Sequence, residues 1–254
     1  MAYGDTMGSL GRVIRPAVRE YEQKEKDRQR RAIEKANAQD LSELEGYINQ
    51  ITGLHHQTID QIDWKAQTKP DIVELYNQMR SGDDNALMKV IKSQHSLSRI
   101  HKLGRGLGFT VENGLVHAIL ALHNQSIVPD FHFKYMPSGK LAEVKMPREK
   151  RLNLYRAYAS SAVLKVASDL VRLVPIGNVV VTAIAACDVA DSEYEEDWPV
   201  LSSNLMRKTV LQMDMPNIDP VAAVGGFQTA ERFHPIRGLR RIVPLLSIPA
   251  RMSI

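Results

Sequence analysis

One cysteine, Cys187, stands in a chain of 254 residues. That excludes an intrachain disulfide and a thiolate zinc cluster, and it suits a reducing compartment. Its neighbours in "VVVTAIAAC" are apolar and no histidine lies nearby in sequence. It therefore reads as a small buried hydrophobe rather than a nucleophile. Long apolar runs are missing too. The longest, Val179 to Cys187, is far short of the roughly 20 residues a membrane helix needs. The opening "MAYGDTMGSLGRVIRP" lacks the apolar stretch and cleavage site of a secretory signal. A cytoplasmic protein without membrane association is the expectation. Charge of one sign is also scarce, since 33 basic and 29 acidic residues leave a formal net charge of +4. Such an excess permits contact with nucleic acid and does not demand it.

What is present is an ordinary globular composition, 44% hydrophobic and 24% charged. It suffices for one buried domain plus an extension. The extension comes first. Residues 17–57 predict one long helix, free of proline and of glycine until Gly46, with charges set four apart at Glu20–Lys24, Glu22–Lys26 and Asp27–Arg31. Apolar residues are sparse before Ile33 and then recur at Leu41, Leu44, Ile48 and Ile51, close to a coiled-coil seam. Such a helix buries little by itself. It is expected to act as an arm that pairs with a second copy or docks on a partner.

The stretch "GLHHQTIDQIDWKAQTKP" breaks the helix. His55 and His56 with Asp60 and Asp63 hint at a metal, but adjacent histidines point apart. A polar turn anchored by Trp64 asks for less. Two helices follow, one with Pro70 in its first turn and one opening on Asp83, Asp84 and Asn85. Gly104, Gly106 and Gly108 leave a helix and enter a strand, which is the wrong context for a phosphate loop. Strands are expected near 107–111 and 115–122 around an Asn113-Gly114 turn. A long helix ends at Pro175, and "NVVVTAIAAC" reads as a strand buried on both faces at the centre of a sheet. An acidic loop, the strand "PVLSSNLM" and a turn with a short helix follow.

Chemistry is concentrated in "PDFHFKYMPSGKLAEVKMP", residues 129–147. An aspartate and a Glu-x-Lys on neighbouring strands can share a Mg²⁺, with the lysine positioning a water, as in nucleases of the restriction-endonuclease fold. Asp130, Glu143 and Lys145 are the candidates. A two-residue Ser138-Gly139 turn would place Lys134 opposite Glu143 and His132 opposite Lys145, with Phe131, Phe133 and Tyr135 sharing a face with Ala142, Val144 and Met146. The two carboxylates would then lie roughly 13 Å apart along the strands, too far for one ion. No other cofactor motif is present. The tail places Arg232, Arg237, Arg240, Arg241 and Arg251 among prolines and apolar residues. Either these arginines track phosphates, or the chain returns across the sheet with its charges in water.

Taken together, the ordered segments resemble a family of uncharacterised bacterial proteins. The resemblance rests on the charged first helix, His55 with Asp63 and Trp64, Val128-Pro129, Ser138 to Leu141, and Met146-Pro147. It continues through Leu154, Tyr155 and Tyr158, the apolar strand 179–186, Pro199 to Ser202, Arg207 to Thr209, Asp219-Pro220 with Phe227, and Pro244-Leu245. The C-terminal block is similar to the region that precedes Mrr-type restriction endonuclease domains. This resemblance implies a DNA-linked, phage-defence setting and brings no established activity with it. The expectation is an α+β protein: a helical arm and connecting helices over 1–103, then a mixed sheet packed by one long helix over 104–254, with a restriction-endonuclease-like strand order as an option. Its expected role is a non-enzymatic interaction module, homo-oligomeric or docked through residues 17–57, with DNA contact through Arg232 to Arg241. A Mg²⁺-dependent nuclease and a structural adaptor without nucleic-acid contact are the alternatives.

Overall fold

The computed structural model describes residues 7–94, 103–137, 140–186 and 197–248, with side chains from residue 23 onward. Cys187, Arg251, most of the acidic loop and the Ser138-Gly139 pair lie outside the described residues. The chain divides into two compact units, one of residues 1–47 with 133–143, the other of residues 48–132 with 144–254.

Helix α1 spans Met7–Thr52. It begins ten residues before the expected Ala17 and runs through Pro16. Its exposed surface is laced by Arg30 to Glu34 (3.0 Å), Gln39 to Glu43 (2.9 Å) and Gln23 to Asp27 (3.4 Å). Pairs of this kind each contribute a few tenths of a kcal/mol. Asp27 thus accepts from Gln23, where the spacing had suggested Arg31. Gly53 ends the helix: its N–H donates to Asn49 O at 2.8 Å, and a Cβ there would lie 2.7 Å from that same oxygen. Only glycine fits so close an approach.

The second unit is α+β. Five strands form one mixed sheet in the order β1-β2-β5-β6-β7, where β1 is Gly106–Glu112, β2 Leu115–Ala121, β5 Asn178–Ala186, β6 Asp197–Met206 and β7 Gln228–Glu231. β2 and β5 are parallel and the other pairings antiparallel. The crossover between them holds a separate two-stranded ribbon, β3 (Phe131–Tyr135) with β4 (Leu141–Lys145), and the helix α4 (Arg148–Leu173). β5 is central and buried on both faces, as its unbroken apolar run requires. The ribbon, however, is not part of the main sheet. That departs from the restriction-endonuclease-like order.

Alternation along the strands sets the two faces of the sheet. Val116, Ala118 and Leu120 with Val179, Val181 and Ala183 meet the apolar side of α4, including Tyr158, Leu164 and Leu170. The small residues Ala159, Ser160 and Ala162 are fully enclosed. Helices α2 (Pro70–Arg80) and α3 (Asp84–Ser93) add Met79, Leu87 and Ile91 to the same core. Residues 48–94 therefore share one core with the sheet, whereas the sequence had suggested a boundary near 103.

On the opposite face a row of hydroxyls runs through the core. His117 Nε2 pairs with Thr182 Oγ1 at 2.9 Å, and Thr182 Oγ1 with Ser202 Oγ at 2.9 Å. Leu245 N donates to Ser202 Oγ at 3.1 Å and Ile242 N to Pro199 O at 2.9 Å. Ile248 covers Ile119, Ala121 and Ile184. The C-terminal chain thus returns across the sheet.

Local details follow from single residues. Asn113 (φ 53°) and Gly114 (φ 75°) turn β1 into β2 with the two positive φ angles of a tight hairpin. Their N–H groups donate to the Asp84 carboxylate at 3.1 and 2.8 Å, while Asp83 alone caps α3 through Asn85 N and Ala86 N. A Cβ on Gly104 would fall 2.3 Å from Ala121 O, so this glycine serves chain packing at the sheet edge.

Two tyrosines tie α4 to the strand ends. Tyr155 Oη donates to His123 O and Tyr158 Oη to Leu103 O, both at 2.8 Å, and His123 N donates to Tyr158 Oη at 3.2 Å. Tyr158→Phe removes the hydroxyl from two backbone groups in the interior. A loss of about 1–3 kcal/mol is expected, read as a lower urea midpoint at unchanged slope.

Candidate functional site

The nuclease candidates come first. Met136 N donates to Lys140 O at 2.9 Å, and Met146 N to Asp130 O at 2.7 Å. Both bonds belong to one register, which sets Phe131 opposite Lys145, His132 opposite Val144, Phe133 opposite Glu143 and Lys134 opposite Ala142. This is one residue away from the expected pairing. The loop between Met136 and Lys140 takes three residues, with Pro137 inside it. Pro137 has no N–H to give to a ladder, so the loop is where it costs nothing. The one-residue change flips parity. Glu143 and Lys145 share a face with Phe131 and Phe133, and Asp130 belongs to the other face with Met146. The triad does not converge on one ion in this register, and all three residues are exposed.

The second candidate group, His55, His56, Asp60 and Asp63, is dispersed. His55 is 1% exposed and is held by α4: its N–H donates to Ser161 Oγ at 3.2 Å, and its Nδ1 pairs with the same oxygen at 2.8 Å. Burial, then the neighbouring His56, lowers the His55 pKa, with the Ile218 backbone and Asp219 acting in the opposite sense. A His–Ser pair has the chemistry of a nucleophile and its base. Ser161 is wholly enclosed, so no substrate reaches it. Asp63 caps the turn Trp64–Ala66 through Lys65 N and Ala66 N. Trp64 is the expected anchor, its Nε1 donating to Leu173 O at 2.9 Å. Among the described residues no group of three or more His, Cys, Asp or Glu is arranged to hold a metal.

The tail arginines are brought to one small element. β8 (Phe233–His234) and β9 (Gly238–Leu239) form a two-stranded hairpin. Arg237 lies in its turn, and Arg240 N donates to Arg232 O at 2.8 Å across its base. Arg232, Arg237 and Arg241 are exposed and Arg240 half-buried. The Arg241 guanidinium sits 3.5 Å from the Trp198 ring centroid, which fixes it by cation–π attraction. Next to the hairpin, Arg156 makes a two-point ion pair with Glu231 and stacks 4.8 Å from the Phe233 ring centroid.

One concavity escaped the sequence. A cleft of about 640 Å³ is lined by residues that include Trp64, Tyr76, Arg80 and Arg207. Of these four, Trp64 is expected from the sequence as the anchor of a turn and Arg207 belongs to the family resemblance, while Tyr76 and Arg80 carry no signal there. Four separate stretches of chain contribute, 61–65, 76–80, Pro175 and Arg207, and no short motif joins them.

No protein-family model, curated protein or solved structure matches this chain.

The buried histidines generate a pH dependence. Burial lowers the pKa of His117 from its ordinary value near 6.5, and burial with His56 does the same for His55. A histidine kept neutral by folding contributes stability above the unfolded pKa, and that contribution is lost as pH falls below it. The thermal midpoint should therefore drop between about pH 7 and pH 5. His117→Gln keeps an amide for Thr182 without a proton to gain, so its slope over that window should be shallower.

Proposed function

We propose that this protein is a non-enzymatic interaction module that self-associates through its helical arm. The observation behind this is the first unit. None of its described side chains, residues 23–47, 133–137 and 140–143, is buried. Yet Ile33 is 57% exposed and Tyr135 56%, with Tyr47 and Met136 also exposed. A helix of 46 residues that is polar around most of its surface gains little from propensity alone and needs neighbours to order it. A second copy is the simplest neighbour. The Ile33, Leu41, Leu44 spacing supplies a seam, and the mixed charges of the arm complement themselves in an antiparallel or parallel pair.

Ile33→Asp with Leu41→Asp in the full chain should shift the mass measured by light scattering from oligomer to monomer. The thermal midpoint of the second unit should stay within about 0.5 kcal/mol equivalent, as for surface substitutions. An unchanged oligomer removes the seam from the account.

Contact with DNA through the β8–β9 hairpin is the second element of the reading. It is supported by four arginines gathered at one small hairpin, none of them in an ion pair among the described residues. Affinity for duplex DNA should fall steeply with salt. Arg232→Ala with Arg237→Ala should reduce the slope of log K against log salt by about 2, measured by fluorescence anisotropy. The phage-defence setting rests on the family resemblance alone.

A further inference from the structure

The cleft beside Trp64 has an excess of positive charge on its lining. Its cationic lining is Lys65, Arg80 and Arg207, and its one carboxylate is Asp63. That carboxylate is occupied, with Oδ1 accepting from Lys65 N at 3.1 Å and Ala66 N at 3.2 Å. No ion pair among the described residues involves Lys65, Arg80 or Arg207. Three cations facing one cleft repel one another unless an anion joins them.

Arg207 has a structural task as well. Its Nη1 donates to Val171 O and, at 2.7 Å, to Val174 O, so it caps the C-terminal end of α4. These bonds use one nitrogen of the guanidinium, and Arg207 also lines the cleft. Burial lowers the Arg207 pKa, with Tyr76 acting in the opposite sense. A partly desolvated guanidinium attracts an anion more strongly than a hydrated one. Arg80 and Lys65 are exposed and have no comparable task. Arg80 lies 5.8 Å from the Tyr76 ring centroid.

The wall also carries two aromatic rings, beside Gln61, Ile62 and Pro175. Trp64 and Tyr76 are parallel within 3°, with centroids 6.4 Å apart. Trp64 is held by its bond to Leu173 O, so this ring is positioned before any ligand arrives. The volume, about 640 Å³, lies in the range of small-molecule sites. An aromatic surface beside unpaired cations suits one ligand class: a planar ring with a phosphate attached. We propose that this cleft binds a nucleoside phosphate, the ring against the Trp64–Tyr76 wall and the phosphate among Arg80, Lys65 and Arg207. The ligand is a free nucleotide or the phosphorylated end of a single strand. The inference is independent of the arm and of the β8–β9 arginines.

The test is calorimetric titration of the full chain with the four nucleoside monophosphates, adenosine, inorganic phosphate and a 5′-phosphorylated single-stranded oligonucleotide. At least one monophosphate or the oligonucleotide should bind saturably, and adenosine or phosphate alone should bind at least about tenfold more weakly. An oligonucleotide that outcompetes every mononucleotide identifies the strand end as the source, and the reverse order identifies the free nucleotide. Lys65→Ala with Arg80→Ala, both on exposed positions, should weaken binding by about tenfold or more without moving the thermal midpoint. Tyr76→Leu should lower affinity for the nucleotide and leave that for phosphate unchanged. Two results overturn the proposal: no saturable binding by any of these probes at millimolar concentration, or binding of equal strength in the Lys65/Arg80 variant.

Discussion

The structure depends on helix α4 having a satisfied partner on every side. One side lies on the sheet. Along another runs the irregular segment from Gly53 to Ala66, mostly half-buried or exposed, whose backbone has few hydrogen-bond partners of its own. α4 supplies them in register: Ser161 to His55, the Asp169 carboxylate to Ile59 N at 3.2 Å, Arg172 O to Ile62 N at 3.1 Å, and Leu173 O to Trp64. Asp169 is only 3% exposed. Burial raises its pKa, opposed by Lys165, which sits 2.6 Å away, and by the Ile59 N–H. The carbonyls at the end of α4 are then closed by Arg207, from the helix that follows β6. One helix thus fixes the end of α1, the Trp64 turn and the sheet. The cleft forms where the Trp64 turn, α2, Pro175 just beyond α4 and Arg207 meet.

The second face of the sheet follows a different logic. Its centre is a line of polar side chains, His117, Thr182 and Ser202, in a position where hydrocarbon would be expected. Each is satisfied by the next, which is what makes such a row tolerable in a core. The last acceptor receives the N–H of Leu245, so the row also specifies where the C-terminal chain lies. That path brings Arg241 onto Trp198 and positions the β8–β9 hairpin with its arginines. The grouping of the tail charges is therefore a by-product of a chain held for packing reasons.

Elements whose information is local were legible in the sequence. The central strand 178–186, the Asn113-Gly114 turn, the long helix before Pro175 and the α+β class all follow from periodicity, φ preference and breakers. What failed did so for identifiable reasons. The β3–β4 register was inferred from burying two apolar sets together, but Val144 and Tyr135 are exposed and Pro137 needed the loop. That single residue separates Asp130 from Glu143 and Lys145 more completely than spacing had suggested. Asp84 looked like a helix cap and instead holds a turn almost thirty residues away. His55 looked like a polar turn residue and is buried against Ser161. The cleft was invisible because Trp64, Tyr76 and Arg207 become neighbours only when α4 is in place.

The remaining question is how a unit without a buried side chain among its described residues stays ordered. A long, mostly polar helix in water frays, and tertiary or quaternary contact decides whether it persists. Amide hydrogen exchange of residues 23–47, followed over a hundredfold range of protein concentration, tests this most directly. Self-association predicts protection that rises with concentration while that of α4 stays constant. Protection of the arm that is the same at both ends of the range contradicts it.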